Sequence, residues 1–321
     1  MAAAPCVNGV NMTHERGRPA DGVVRAYPQA EQLGGAEAAS CAVWADDGVE
    51  LHVSRWSATR PWAVVVFLHG IASHAGWFRE TATDLREQGL AVYAPDRRGS
   101  GRSAGRRGHL DRYPRALDDV ARVVRLAASE HRRTPVFLAG SSWAAKLAVV
   151  YAAARPTDLS GLLLLGPGLL PRIGLSPARQ LAVGVGHLVT PTARVAIPLT
   201  PELYTATPRY LQFIRADPLR LLTATTRFFW ETARLDRRRD DASAGLRLPL
   251  LVLQGDDDPM MDVPATRGWF SALSVEDKTY GSYPGASHTL DFARDRAAYV
   301  ADMLAWLSAR VPPASGRSSG P

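Results

Sequence analysis

The chain is poor in cysteine, in lysine and in long apolar runs, and each shortage excludes something. Two cysteines, Cys6 and Cys41, cannot build a disulfide framework, and no C-x-x-C pair suggests zinc. No stretch of ~18 residues runs apolar without a charge or a proline, so no transmembrane helix is indicated. The opening residues, "MAAAPCVNGVNMTHERGRPADG", lack a basic segment followed by an apolar one. No secretory signal is read there, and a cytoplasmic location is expected. A P-loop, a dinucleotide fingerprint and H-E-x-x-H are all missing, which leaves no support for a cofactor or a catalytic metal.

Lysine is confined to Lys146 and Lys278, so nearly all of the basic charge is arginine. A net charge of +7 raises nucleic acid or an anionic membrane surface as partners. The arginines are interleaved with acids, however, as in "ARLDRRRDDASAGLR", which describes a solvated face. No nucleic-acid-binding motif accompanies them. Hydrophobic content of 46% and charged content of 21% fit a soluble globular protein with a sizeable core.

What is present is an alternation. Residues 1–36 have no sustained period and read as a mobile arm, and 313–321 as a disordered tail. Between them, "AVWADDGVELHVSRW" reads as a hairpin turning at Asp46-Asp47-Gly48. The runs "WAVVVFLHG", "LAVYAPD", "PVFLAGS", "LSGLLLLGP" and "LPLLVLQGD" are short and apolar on both faces, as buried parallel strands require. Helical patterns separate them, with Leu117, Val120, Val123, Val124 and Ala127 sharing one face. An α/β fold with a parallel sheet between helices is expected. The regularity stops over 167–245, too long for a loop, which reads as a helical cap with no convincing strand signal. Core segments at 37–166 and 246–312 flank it. Within the cap, "RQLAVGVGHLVTPTARVAIPL" reads as packing on the core, the alternatives being a greasy pocket or transient contact with a lipid surface.

A serine at a sharp strand-to-helix corner is the arrangement that exposes a nucleophile. Its pattern, G-x-S-x-G, occurs literally twice, at Gly101–Gly105 and Gly316–Gly320. Neither copy lies between a buried strand and an apolar helix. "FLAGSSWAAKLA" does, although it lacks the second glycine. Strand and helix pack closely at such a corner, so residues two before and two after the serine must be small. Ser141 would have Trp143 two places on, whereas Ser142 has Gly140 behind and Ala144 ahead. Ser142 is therefore the candidate nucleophile, against the reading that it merely caps the next helix.

A hydroxyl becomes nucleophilic when a histidine takes its proton and a carboxylate orients that histidine. Of the eight histidines, only His288 follows the last strand-and-loop unit, in "SYPGASHTLDF". "QGDDDPMMD" offers Asp256, Asp257 and Asp258; Asp258 is preferred and Asp256 is its main rival. Backbone N–H groups of Ile71 and Trp143 are the expected donors to a developing oxyanion. His69 and Gly70 are expected to shape the loop of Ile71 rather than to react, and His74 to be structural or pocket-lining rather than catalytic.

With those residues in place, "FLHGIASHAGWF", "VYAPDRRGSGRSAGRRGHLDRY", "IRADPL", "LLVLQGDDDPMMD" and "YPGASHTL" become informative together. In this order, over roughly 40–310, the chain resembles the monoacylglycerol lipase and lysophospholipase branch of the α/β-hydrolase superfamily, often labelled serine aminopeptidase S33-like. The resemblance implies a mostly parallel eight-stranded sheet with an inserted helical cap, no cofactor, and Asp258 as the catalytic aspartate. It also implies hydrolysis of an acyl ester of a small molecule. The family's corner reads glycine-histidine-serine-methionine-glycine-glycine; here Ser141, Trp143, Ala144 and Ala145 replace the residues around the serine. Lys146, one helical turn on, reads as a buried, paired lysine, or else as a pocket charge. These departures keep open a thioesterase, acyl-transfer, amide-cleaving or cyclising activity, and more remotely a non-catalytic binding protein.

Overall fold

The computed structural model describes Ala4–Pro5 and residues 33–311. The expected tail, and most of the expected arm, lie outside the described residues. Residues 33–36 are described, and they are tied down: Gly34 N–H donates to Glu80 Oε1 at 2.7 Å and Ala36 N–H to Thr83 Oγ1 at 2.9 Å.

The first half runs β1 (Ala4–Pro5), β2 (Ala39–Trp44), β3 (Glu50–Ser57), β4 (Ala63–Leu68), α1 (Arg79–Glu87), β5 (Leu90–Pro95), α2 (Tyr113–Glu130), β6 (Val136–Ser141), α3 (Ala144–Ala154) and β7 (Gly161–Leu165). The segment between β7 and the next sheet strand holds α4 (Pro177–Val189), β8 (Arg194–Ala196), α5 (Pro208–Ala216), β9 (Thr223–Thr225) and α6 (Thr226–Ala244). β10 (Leu250–Gly255), α7 (Val263–Ala272), β11 (Lys278–Tyr283) and α8 (Arg296–Ser308) follow among the described residues. Among the described residues the sheet order is β1-β2-β3-β5-β4-β6-β7-β10-β11, nine strands where eight were expected, the extra one being the two-residue β1.

β2 and β3 form the expected hairpin, closed where Gly48 N–H meets the Ala45 carbonyl at 3.0 Å. β3 also runs antiparallel to β5, and every pairing from β5 through β11 is parallel. Every residue of β4 is buried because both faces are covered. Its pleat sends Val64, Val66 and Leu68 into one core layer with α2 and α3. Ala63, Val65 and Phe67 go to the opposite layer with α1 and α8. β5 and β6 flank β4, so the chain reverses its direction of travel across the sheet there, and a crevice opens at the carboxyl ends of β4 and β6.

Two expectations for 167–245 are corrected. β8 and β9 pair antiparallel, Val195 facing Ala224. Three-residue strands joined across such a distance leave no alternation for a sequence reading to find. The apolar stretch of α4 does not pack wholly on the core: only Val183, Gly186 and His187 are buried, while Leu181 is 72% and Leu188 is 74% exposed.

Candidate active site

Ser142 follows β6 directly and has φ +52°, left-handed backbone that a serine adopts only under constraint. Its amide donates to the Leu165 carbonyl at 3.1 Å, and its own carbonyl accepts from Gly168 N–H at 2.9 Å. Gly140 explains why this corner closes. A β-carbon there would stand 2.7 Å from the Ala148 β-carbon and 2.9 Å from the Ala144 carbonyl oxygen. Trp143 escapes the crowding because its ring turns away, stacking on Phe228 at 5.2 Å and donating Nε1–H to Thr232 Oγ1 at 3.1 Å.

His288, in the loop after β11, places Nε2 2.8 Å from Ser142 Oγ and Nδ1 2.8 Å from Asp258 Oδ2. An ionised carboxylate only accepts, so Nδ1 carries the proton and Nε2 is left to receive the serine hydroxyl. Asp258 Oδ1 accepts from the amides of Met260 (2.9 Å) and Met261 (3.2 Å), and Oδ2 from Gln254 Nε2 at 3.1 Å. Burial alone would raise the Asp258 carboxyl, but His288 and these hydrogen bonds outweigh it and hold the group below its usual range. The rival Asp256 points elsewhere, to Arg267 at 3.0 Å and to Ser282, and Asp257 is exposed.

The amides of Ile71 and Trp143 have no acceptor among the described residues, and both residues line the cavity that reaches Ser142. His69 is buried with Nε2 accepting from Arg97 N–H and Nδ1 meeting the Gly70 carbonyl, each at 2.9 Å. Burial, reinforced by the Arg97 charge, pushes its pKa well below the usual histidine value. His74 bridges Gly76 N–H at 3.1 Å and Asp217 at 3.2 Å. Both histidines shape the loop after β4. The literal motif at 101–105 is structural as well, since the Ser103 hydroxyl donates to the Asp96 carbonyl at 2.6 Å and accepts from His52 N–H at 2.8 Å. The copy at 316–320 lies outside the described residues.

The model of the family described as serine aminopeptidase, S33, matches residues 59–295. The chain belongs to that family. It is similar to the monoacylglycerol lipase of Mycolicibacterium smegmatis, 29% identical over 81% of this chain and 93% of that protein. It is similar also to phospholipase YtpA of Bacillus subtilis, 26% identical over 73% of this chain and 91% of that one. Among solved structures, the monoacylglycerol lipase of Paleococcus ferrophilus superposes with a TM-score of 0.73 at 24% identity, covering 81% of this chain and 99% of that one. The fold is that of an α/β-hydrolase, and the chain is an ester-hydrolysing enzyme.

The hydrolase's cavity above Ser142 has a volume of about 470 Å³. Its wall is mainly apolar, with Ile173, Val183, Ile197, Leu199 and Phe229 from the inserted segment. Lys146 and Asp236 interrupt that wall, Nζ lying 2.6 Å from Oδ1. Lys146 is thus both buried and paired, as preferred from the sequence, and part of the pocket. Burial draws its ammonium below the usual lysine range, against the opposing pull of Asp236. Its partner escaped the sequence reading because Asp236 sits among the charges of α6, with nothing local to distinguish it. Arg97 escaped in the same way, as one arginine of "APDRRGSGRS". Among the described residues, no group of three or more His, Cys, Asp or Glu side chains could hold a metal, and no helix is long and apolar enough to cross a membrane.

Proposed function

We propose that the enzyme hydrolyses a carboxylic ester of a monoacylglycerol- or lysophospholipid-like molecule, with Ser142, His288 and Asp258 as a catalytic triad. The observation that carries this reading is the unbroken chain from Ser142 Oγ through His288 to Asp258, at 2.8 Å for each link. Ser142 Oγ attacks the ester carbonyl carbon while its proton passes to His288 Nε2. The carbonyl π electrons move to the oxygen, which the N–H groups of Ile71 and Trp143 receive. Collapse of the tetrahedral adduct breaks the bond to the alcohol, which leaves with the proton from His288. Water repeats the sequence on the acyl-enzyme, with His288 taking its proton, and the carboxylic acid departs. Asp258 holds the imidazole tautomer and stabilises the imidazolium.

In this reading 167–245 is a cap whose apolar residues receive the acyl chain. The exposed face of α4, with Leu181, Val185, Leu188 and Val189, meets the lipid surface that supplies the substrate. A specific observation favours a second substrate class. The Lys146–Asp236 pair places charge where a plain hydrocarbon chain has none, which suits a thioester or a functionalised acyl group handled by the same triad.

A fluorophosphonate probe is expected to label the wild type and not Ser142→Ala. Equal labelling of both removes Ser142 from the mechanism. Turnover of monoacylglycerols and p-nitrophenyl esters of graded length, set against acyl-thioesters, separates the two substrate classes.

A further inference from the structure

Two arginines follow β5, and only one has an ordinary explanation. Arg98 is paired, with Asp119 at 2.6 Å and Asp47 at 2.8 Å. Arg97 has no carboxylate within ion-pair distance among the described residues. Its Nη2 donates to two backbone carbonyls, Gly70 at 2.8 Å and Ile71 at 2.9 Å. Its guanidinium lies against the Trp143 ring, 4.7 Å from the centroid, and 6.0 Å from that of Phe228. Nε is buried and has no acceptor among the described residues. Burial lowers the basicity of Arg97, with neighbouring Asp96 opposing. A shielded cation without an ion-pair partner is costly, so its position calls for a reason.

Peptide geometry supplies one. The bond from Gly70 to Ile71 is trans, so its N–H points away from its C=O. The carbonyl is held on one side by Arg97 Nη2 and by His69 Nδ1. The Ile71 N–H is therefore turned to the other side, toward Ser142. A β-carbon on Gly70 would stand only 3.3 Å from Ser142 Oγ, so this segment abuts the serine. The other amide of the oxyanion site belongs to Trp143, whose ring rests on the same guanidinium.

We infer that Arg97 is a positioning residue for the oxyanion site: it braces the Gly70–Ile71 peptide and Trp143 together and supplies positive potential behind both amides. The inference rests on the hydrolase mechanism proposed above. Arg97 does not line the cavity. Among the described residues its charge forms no ion pair in the resting enzyme, Asp96 acting on it only from a distance, and it gains an anionic neighbour as the carbonyl oxygen turns anionic. An interaction that strengthens on the way to the transition state raises kcat rather than lowering KM.

The test uses the full chain with Arg97→Met, Arg97→Gln and Arg97→Lys. Arg97→Met is expected to lower kcat on a p-nitrophenyl ester by about 100-fold, with KM within about threefold. Affinity for a trifluoromethyl ketone, whose adduct with the serine is an oxyanion, is expected to fall by the same factor. Arg97→Lys is expected to recover at least about tenfold of each loss, and Arg97→Gln to fall between Met and wild type. Should the Met variant fail to fold, the Gln and Lys variants are read by the same two ratios. Folded variants with wild-type kcat and wild-type ketone affinity overturn the inference, as does a loss confined to KM. Fluorophosphonate labelling of the wild type and of Ser142→Ala separates the failures. Labelling abolished by Ser142→Ala with unaffected Arg97 variants removes only the role of Arg97. A wild type that is neither labelled nor active removes the hydrolase mechanism and this inference with it.

Discussion

Adding one methyl group at Gly140 tests the packing account of the corner most directly. The new β-carbon would lie 2.7 Å from the Ala148 β-carbon, 2.9 Å from the Ala144 carbonyl oxygen and 3.0 Å from the Ala145 α-carbon, where ordinary contact begins at 3.4 Å. Two of those atoms are backbone, so no side-chain rotation relieves the clash, and α3 must retreat from β6 by about half an ångström or more. Overpacking of this kind costs about 1–3 kcal/mol. That lowers Tm by about 1–2 °C per kcal/mol in a chain of this size. Ser142 sits between the two elements with Oγ 2.8 Å from His288 Nε2, so the same retreat draws the hydroxyl off its acceptor. A displacement approaching 1 Å is worth about 10²-fold in rate. Gly140→Ala is therefore expected to lose about 10²-fold in kcat on a p-nitrophenyl ester and several degrees in Tm. The control is Ala144→Gly, which restores the literal G-x-S-x-G. It removes a buried methyl from the first position of α3, so a loss of about 1 kcal/mol and no gain in kcat are expected. A Gly140→Ala enzyme with wild-type kcat and Tm refutes the packing account, and so does a tenfold gain from Ala144→Gly.

Asp258→Asn is expected to lower kcat by about 10⁴-fold by stabilising the wrong imidazole tautomer, whereas Asp256→Asn stays within about threefold; the reverse ranking would show that the loop rearranges. Because its carboxyl is held below the usual range, the stability Asp258 contributes is present above its unfolded value and is lost as pH falls through the folded one, which acid unfolding of wild type against Asp258→Asn measures. Asp291 has the opposite sign: burial pushes it up to about 7, against a hydrogen bond from Thr81 and the pull of Arg296. The native state keeps a proton there that the unfolded chain releases near pH 4, so stability is expected to fall between pH 4 and 7. By pH 8 the penalty is on the order of 4 kcal/mol. Asp291→Asn should raise Tm at pH 8 far more than at pH 4, and equal shifts at both count against the buried charge. For the apolar face of α4, Leu181→Ser with Leu188→Ser is expected to reduce co-sedimentation with phospholipid vesicles severalfold, and undiminished co-sedimentation removes the face from lipid contact.

Much of the fold and of the candidate site was legible in the sequence because the constraints behind them are local. A strand covered on both faces must be apolar where it is covered; β4, β5 and β7 are so throughout, and β6 and β10 are up to Ser141 and Gln254 at their carboxyl ends. A corner that brings strand against helix must be small on either side of the exposed serine, which favours Ser142 over Ser141 and over two better-looking copies of the motif as the candidate. Chain order then leaves one histidine. By contrast, β11 at the sheet edge is partly exposed along most of its length, and no apolar run announces it.

The tertiary structure decided what depends on how distant elements converge. The direction of one tight loop after β10 chooses among three adjacent aspartates, turning Asp258 inward to Gln254, Met260 and His288 and leaving Asp256 with Arg267. Only the placement of α6 against α3 supplies Lys146 with Asp236, and only the approach of the β4 and β5 loops sets Arg97 behind the Gly70 carbonyl. Periodicity along the chain records which residues are buried, because burial repeats with the pitch of each element. It does not record partners, since a contact between residues tens of positions apart is set by the rigid-body packing of whole elements.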